Sequence, residues 1–256
     1  MTQPILQVNN LSIRFGGVKA LNDISFDVAP GQICGIIGPN GAGKTTLFNC
    51  LSRLYEPQDG SITFKGTPLL NIPRHGMASR GIGRTFQHLA LFKTMSVRQN
   101  IMVGGYSRSQ GGLLAAAFQT GRFRASEASL LGQADELIAR LGLTPIADLP
   151  IDQLNFATQK RVELARALAS QPDLLLLDEP AGGLNHEEVE ELCSVILSIR
   201  ESFRLTVLLV EHHLNLVMRL SDKVVAFDFG QKIADGSPDE VRNNADVIRA
   251  YLGGVA

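Results

Sequence analysis

Gly38-Pro39-Asn40-Gly41-Ala42-Gly43-Lys44-Thr45-Thr46 is the stretch on which the fold turns. It follows the apolar run Ile33–Ile37 and leads into Lys44–Tyr55, where Leu47, Cys50, Leu51 and Leu54 recur at helical spacing. The pattern G-x-x-x-x-G-K-S/T between a strand and a helix describes a phosphate-binding loop. Its glycines let consecutive backbone N–H groups turn inward at a helix N-terminus and cradle an anion. Lys44 is placed to reach the β- and γ-phosphates of a nucleotide, and the Thr45 hydroxyl to ligate Mg²⁺.

On either side of this loop the chain reads as short apolar strands. Ile5–Val8, Ile24–Val28 and Ile62–Phe64 are expected strands, punctuated by Ala29-Pro30-Gly31 and by Glu56-Pro57-Gln58-Asp59-Gly60. From Val97 to about Leu141 the texture becomes Gly/Ala-rich and helical, with Gly111-Gly112 and Gly121 as joints. The last third returns to alternation: buried-strand runs at Leu174–Leu177, Thr206–Val210 and Val224–Phe227 are separated by helical stretches over 186–201 and 213–220. Strands alternating with helices predict a mostly parallel sheet.

The run Leu174-Leu175-Leu176-Leu177-Asp178-Glu179-Pro180 is a strand ending in two carboxylates. In a parallel sheet its C-terminal end delivers Asp178 toward the phosphate loop to hold Mg²⁺. Glu179, one residue on, can polarise a water for attack on a γ-phosphorus.

Composition narrows the class. The 256 residues are 45% hydrophobic and 19% charged, which excludes a disordered chain. A formal net charge of −1 argues against a nucleic-acid binder. Cys34, Cys50 and Cys193 stand far apart, without zinc-site or disulfide-scaffold spacing, which suits a reducing compartment. No apolar run approaches the roughly 18 residues of a membrane span, and Met1–Asn10 lacks a signal-peptide pattern. The expectation is a protein soluble when isolated. Charge is nonetheless uneven: between Asp59 and Glu127 there is no acidic residue, while Lys65, Arg74, Arg80, Arg84, Lys93, Arg98, Arg108, Arg122 and Arg124 fall there. This is either a solvated basic face or a lobe facing a membrane surface or a partner's cytoplasmic loops.

Taken in order, these motifs are similar to those of the ATP-binding subunits of ABC transporters, over essentially the whole chain. The chain looks most like the Liv-type subunit of branched-chain amino acid importers. The resemblance is carried by Arg14-Phe15-Gly16-Gly17, Arg84-Thr85-Phe86-Gln87, Asp178-Glu179-Pro180-Ala181-Gly182-Gly183-Leu184-Asn185, the insert after Asn100, and the tail from Asp235-Gly236-Ser237-Pro238 to Val247-Ile248-Arg249-Ala250-Tyr251-Leu252-Gly253. It implies an α/β fold: a RecA-like phosphate-loop NTPase core with an antiparallel β subdomain and an inserted helical subdomain. One such unit would span 1–256, its core being about 1–89 and 168–256 and its helical lobe about 90–167.

The resemblance also assigns roles. ATP and Mg²⁺ are the implied ligands, with Gly38 to Thr46 around the phosphates and Phe15 stacking on adenine. Gln87, after a strand at Gly81–Thr85, joins Thr45 and Asp178 on Mg²⁺ and touches the attacking water, and its loop meets the membrane subunit. Glu179 is the base. His212 contacts the γ-phosphate, although His213 stands beside it where the family usually has Asp, so either imidazole can point inward.

The family's Leu-Ser-Gly-Gly-Gln signature reads here Leu154-Asn155-Phe156-Ala157-Thr158-Gln159. That segment opens a helix, expected over 158–169, and presents Asn155 and Ala157 to the nucleotide of the opposite subunit. Asn caps helices well, and Ala157 keeps its N–H; a positive φ there would cost about 1–2 kcal/mol. The cluster Glu187-Glu188-Val189-Glu190-Glu191 suits a helix start rather than a metal.

The implied activity is ATP hydrolysis in a head-to-tail dimer, with a like or a different ATPase, that drives transmembrane permease subunits. A periplasmic or extracellular solute-binding protein would act indirectly, nucleic acid would not be a partner, and the chain would lie on the cytoplasmic face of the inner or plasma membrane, peripheral through its permeases. Three alternatives stand beside it. A lipid or lipopolysaccharide exporter ATPase shares much of the pattern but not the 104–126 insert. A soluble ABC ATPase of DNA repair or translation would carry coiled-coil inserts or two ATPase halves. A non-hydrolytic nucleotide gate would fit Asn155 and Ala157 but not Glu179.

Overall fold

The computed structural model describes residues 3–87, 89–108 and 121–252. Two sheets organise the chain. The first is antiparallel, in the order β2 (Val18–Val28), β1 (Leu6–Phe15), β4 (Asp59–Phe64) and β5 (Thr67–Pro68). The second has six strands in the order β10 (Gln231–Gly236), β9 (Lys223–Asp228), β3 (Ile33–Ile37), β8 (Thr206–Val210), β7 (Leu174–Asp178) and β6 (Ile82–Arg84). Its five strands from β9 to β6 are parallel, and β10 adds an antiparallel edge.

All five residues of β3, β7 and β8 are buried, as expected of strands covered on both faces. Alternate side chains therefore serve different layers. Cys34, Ile36, Leu174, Leu176, Leu208 and Val210 face a core shared with the antiparallel sheet and with Leu47, Phe48 and Leu51 of α1 (Lys44–Leu51). Leu175, Leu177, Val207 and Leu209 face the opposite core, against α4 (Phe156–Ala169) and α5 (His186–Phe203). That core continues into α2 (Val97–Gly105) and α3 (Gly121–Arg140). A third cluster joins Ile37, Val224 and Ala226 to α6 (Leu214–Leu220), α7 (Pro238–Arg242) and α8 (Ala245–Leu252).

Several expectations shift. The helix expected over Lys44–Tyr55 ends at Leu51, because Arg53 turns left-handed (φ +60°) and Leu54 N–H bonds back to Asn49 O at 2.8 Å. β1 and β2 run far beyond the apolar cores read from sequence, since their polar positions alternate outward. Gly121 opens α3, and the residues before it, Gly111-Gly112 included, lie outside the described residues. The edge strand β10 and helix α7 carry too few apolar residues to announce themselves. Among the described residues no helix is long and apolar enough to cross a membrane. The acid-free interval is not one continuous basic face: Arg84 is drawn inside, Lys65 pairs with Asp173 at 2.5 Å, and Arg98 pairs with Asp148 at 3.0 Å.

Candidate nucleotide site

The phosphate loop sits where the sheet ends and α1 begins. Gly43 at the helix N-cap has φ +102°, no side chain caps the helix, and its first turn holds no acid. The orphan N–H groups of that turn therefore keep their positive end for an anion. Lys44 is buried, and its ammonium donates to Gly38 O at 2.6 Å and Pro39 O at 2.9 Å, straddling the loop. Burial lowers its pKa, while the Glu179 and Asp178 carboxylates oppose that shift. Asn40, Gly41 and Thr45 are exposed, with Pro39 and Thr46 half-buried.

The carboxylates at the end of β7 differ in environment. Asp178 is only 3% exposed and accepts from Arg84 Nη2 at 2.8 Å. Burial raises its pKa, and the Arg84 guanidinium pulls it back. Arg84 also donates to Ser52 Oγ at 2.8 Å, Asn49 Oδ1 at 3.0 Å and Phe48 O at 3.3 Å, and so ties β6 and β7 to the end of α1. Glu179 has φ +48°, a conformation uncommon for a residue with a side chain. Its N–H is fixed on Val210 O at 2.9 Å, and its Oε2 accepts from Gln87 Nε2 at 3.0 Å. Strain of this sort persists only where surroundings impose it, and it concentrates at functional positions.

Glu211, wholly buried at the end of β8, accepts from Ala181 N–H at 2.7 Å and His212 N–H at 3.1 Å. It thereby stitches the loop after Glu179 to the loop after β8. His212 Nδ1 lies 3.7 Å from that carboxylate, and the His212 and His213 rings stand side by side at 4.2 Å, both exposed. Phe15 is 46% exposed at the end of β1 and meets Tyr55 edge-on, centroids 5.1 Å apart.

Lys44, Asp178, Glu179 and Gln87 are thus brought together. Asn155 and Ala157 are not: among the described residues no hydrogen bond joins them to Gly38–Thr46. Asn155 Oδ1 instead accepts from Thr158 N–H at 2.8 Å as the N-cap of α4. Ala157 lies in the first turn of that helix without a positive φ, so the alanine carries no backbone strain.

Sequence reasoning missed three groups: Arg84 as the partner of Asp178, Glu211, and Lys160, whose buried ammonium donates to Glu179 O at 3.1 Å. The one local signal was a carboxylate closing an all-apolar strand at Glu211.

The donor set is hard: a threonine hydroxyl, an aspartate with Oδ1 free of the Arg84 contact, and a glutamine amide oxygen. Oxygen donors of this kind fit Mg²⁺.

Residues 21–182 match the family described as ABC transporter, and residues 231–256 the one described as branched-chain amino acid ATP-binding cassette transporter. The high-affinity branched-chain amino acid transport ATP-binding protein LivG of Salmonella typhimurium is 43% identical over 253 residues, covering 99% of each chain. The protein of like description, BraF, of Pseudomonas aeruginosa is 42% identical over 253 residues, again covering 99% of each. A crystal structure of a nucleotide-free ATP-binding cassette from an ABC transporter matches with TM-score 0.84 at 27% identity, over 97% of this chain and 99% of the other. A cassette crystallised in its ADP conformation matches with TM-score 0.83 at 28% identity, over 98% of this chain and all of the other.

Proposed function

Because the chain belongs to the ABC transporter family, we propose that it is the ATP-hydrolysing subunit of an importer for branched-chain amino acids or related small polar solutes. The observation that carries the reading is the joining of Gln87 to Glu179 beside the Lys44 loop, in a chain that aligns end to end with relatives of that description.

The chemistry follows from the residues. Lys44 and the N–H groups opening α1 bind the phosphates. Glu179 accepts a proton from a water as its oxygen bonds to the γ-phosphorus and the bond to the β-phosphate oxygen breaks, releasing ADP and phosphate. Gln87 holds the Glu179 carboxylate at 3.0 Å and can share the same water. Glu211 fixes the backbone around His212, which we assign to the γ-phosphate. Thr45, Asp178 and Gln87 would hold Mg²⁺, which supplies charge neutralisation at the β- and γ-oxygens. Phe15 offers an exposed π-face to adenine.

Asn155 and Ala157 serve the opposite subunit, so each site is shared between two chains. The altered signature then weakens only the partner's site, and the favoured assembly is a heterodimer with a second Liv-type ATPase. That pair would act on permease subunits at the cytoplasmic face of the membrane, with a solute-binding protein outside and no nucleic acid involved. The core would comprise about 1–89 and 168–256, and the helical lobe about 90–167.

The test is reconstitution in liposomes with the permeases, the second ATPase and the binding protein. Leucine-loaded binding protein is expected to stimulate ATP hydrolysis and drive leucine uptake. Hydrolysis indifferent to the loaded binding protein would overturn the reading.

A further inference from the structure

Gly38 is gripped from two directions. Its carbonyl accepts from Lys44 Nζ at 2.6 Å, and its N–H donates to the hydroxyl of Tyr251, 213 residues away on α8, at 2.8 Å. Its φ is +150°, and a side chain there would run into the Phe227 carbonyl, so the peptide lies flush against the end of β9. Tyr251 reaches it from the cluster of Ile37, Val217, Val224, Ala226, Val241 and Val247. The far end of the loop is held from the same part of the chain: Gly230 N–H, at the turn between β9 and β10, donates to Ala42 O at 3.1 Å.

We propose that Tyr251 is a positioning residue for ATP: its hydroxyl fixes the Gly38 peptide, and the C-terminal segment thereby sets the fraction of molecules whose phosphate loop is preformed. This rests on the reading of Gly38–Thr46 as the ATP site. A glycine at this φ has no side chain to resist rotation of its peptide plane. Without the hydroxyl, the N–H of the Ile37–Gly38 peptide loses its acceptor, and the freed φ and ψ of Gly38 let the neighbouring Gly38–Pro39 carbonyl swing away from Lys44. A loop that is competent only part of the time binds with an affinity reduced by that fraction. One lost neutral hydrogen bond shifts such an equilibrium roughly fivefold. Glu179, Asp178 and Gln87 lie outside this clamp, and bound ATP returns Lys44 to its place, so the chemical step is spared.

Tyr251→Phe keeps the ring's packing and deletes only the acceptor. In the full chain assembled with its partner ATPase, ATP affinity by fluorescent-nucleotide titration and the kinetics of hydrolysis are measured beside the nucleotide-free melting temperature. The expected result is an ATP Kd and KM raised measurably and by at most about fivefold, with kcat within about twofold of wild type and little change in melting. A purely structural tyrosine would lower the melting temperature and leave Kd unmoved, and that result overturns the proposal. Tyr251→Ala, which removes the ring as well, should raise Kd further; an Ala variant that binds ATP as wild type does also overturns it. Wild-type protein unable to bind ATP would sink the site assignment itself, which separates the two failures.

Discussion

Arg84 and Asp178 form an exacting pair, because Asp178 is buried, the Arg84 side chain is only 9% exposed, and only one of them is expected to meet the metal. Removing one partner of such a pair leaves an uncompensated charge, at a cost of about 3–5 kcal/mol. Arg84→Ala is therefore expected to lower the unfolding free energy by that order in a urea titration, and adding Asp178→Asn should restore most of it. The pH dependence has a defined sign. Asp178 holds its proton more readily folded than unfolded, so at this group acidification favours the folded state. Loss of Arg84 removes an influence that opposes this, so the deficit of Arg84→Ala should shrink on acidification from neutral pH; a deficit that grows on acidification would contradict the assignment. Glu179 is half-buried and bonded to Gln87, and on the proposed reading its removal acts on chemistry rather than binding. Glu179→Gln in the assembled pair should lower kcat by about 10²–10⁴ while ATP still binds, as single-turnover and binding measurements would show.

The helix α4 carries two kinds of residue: Asn155 and Ala157 at its open end, and Lys160 one turn in, tied to the Glu179 carbonyl. Ala157 sits in helical backbone, so Ala157→Gly relieves nothing and should cost about 0.5–1 kcal/mol of stability. A donor lost at the transition state would instead be worth roughly 10²–10³ in rate. The double variant Asn155→Ser with Ala157→Gly therefore separates two accounts. In a heterodimer it should raise single-turnover hydrolysis at the partner's site and leave the Lys44 site unchanged; equal and unaltered rates at both sites would refute the asymmetry. At this scale the sequence was informative where the chemistry is local. The loop after β3, the acids ending β7 and the cap of α4 are each written within a few residues. Arg84 with Asp178, Glu211 with Ala181, and Tyr251 with Gly38 were not legible, because sheet order creates these pairs across 94, 30 and 213 residues of chain. The long polar-alternating ends of β1 and β2 escaped for a related reason: pairing in the antiparallel sheet, not apolar content, makes them strands.

On the proposed reading, the molecule as a whole is half of a working site twice over. One end of the parallel sheet gathers the phosphate loop, the carboxylates and Gln87, while the N-terminus of α4 has its cap satisfied and, among the described residues, no hydrogen bond to that loop. On the same proposed reading, a nucleotide held at Lys44 finds its remaining donors on another chain, and a nucleotide met by Asn155 belongs to another chain's lysine. If that other chain is a different ATPase, the isolated protein has ATP affinity but only an incomplete hydrolytic site. Purified alone, it should bind ATP, and its hydrolysis should stay at least tenfold below that of the mixture with a Liv-type partner, a gap smaller than the loss of even one oxyanion-type donor. The measurement is Mg²⁺-dependent phosphate release across protein concentrations, with Glu179→Gln as the control. Hydrolysis by the isolated chain that rises faster than linearly with concentration, and reaches the rate of the mixture, would show instead that two copies complete each other and that Asn155 and Ala157 form a competent signature.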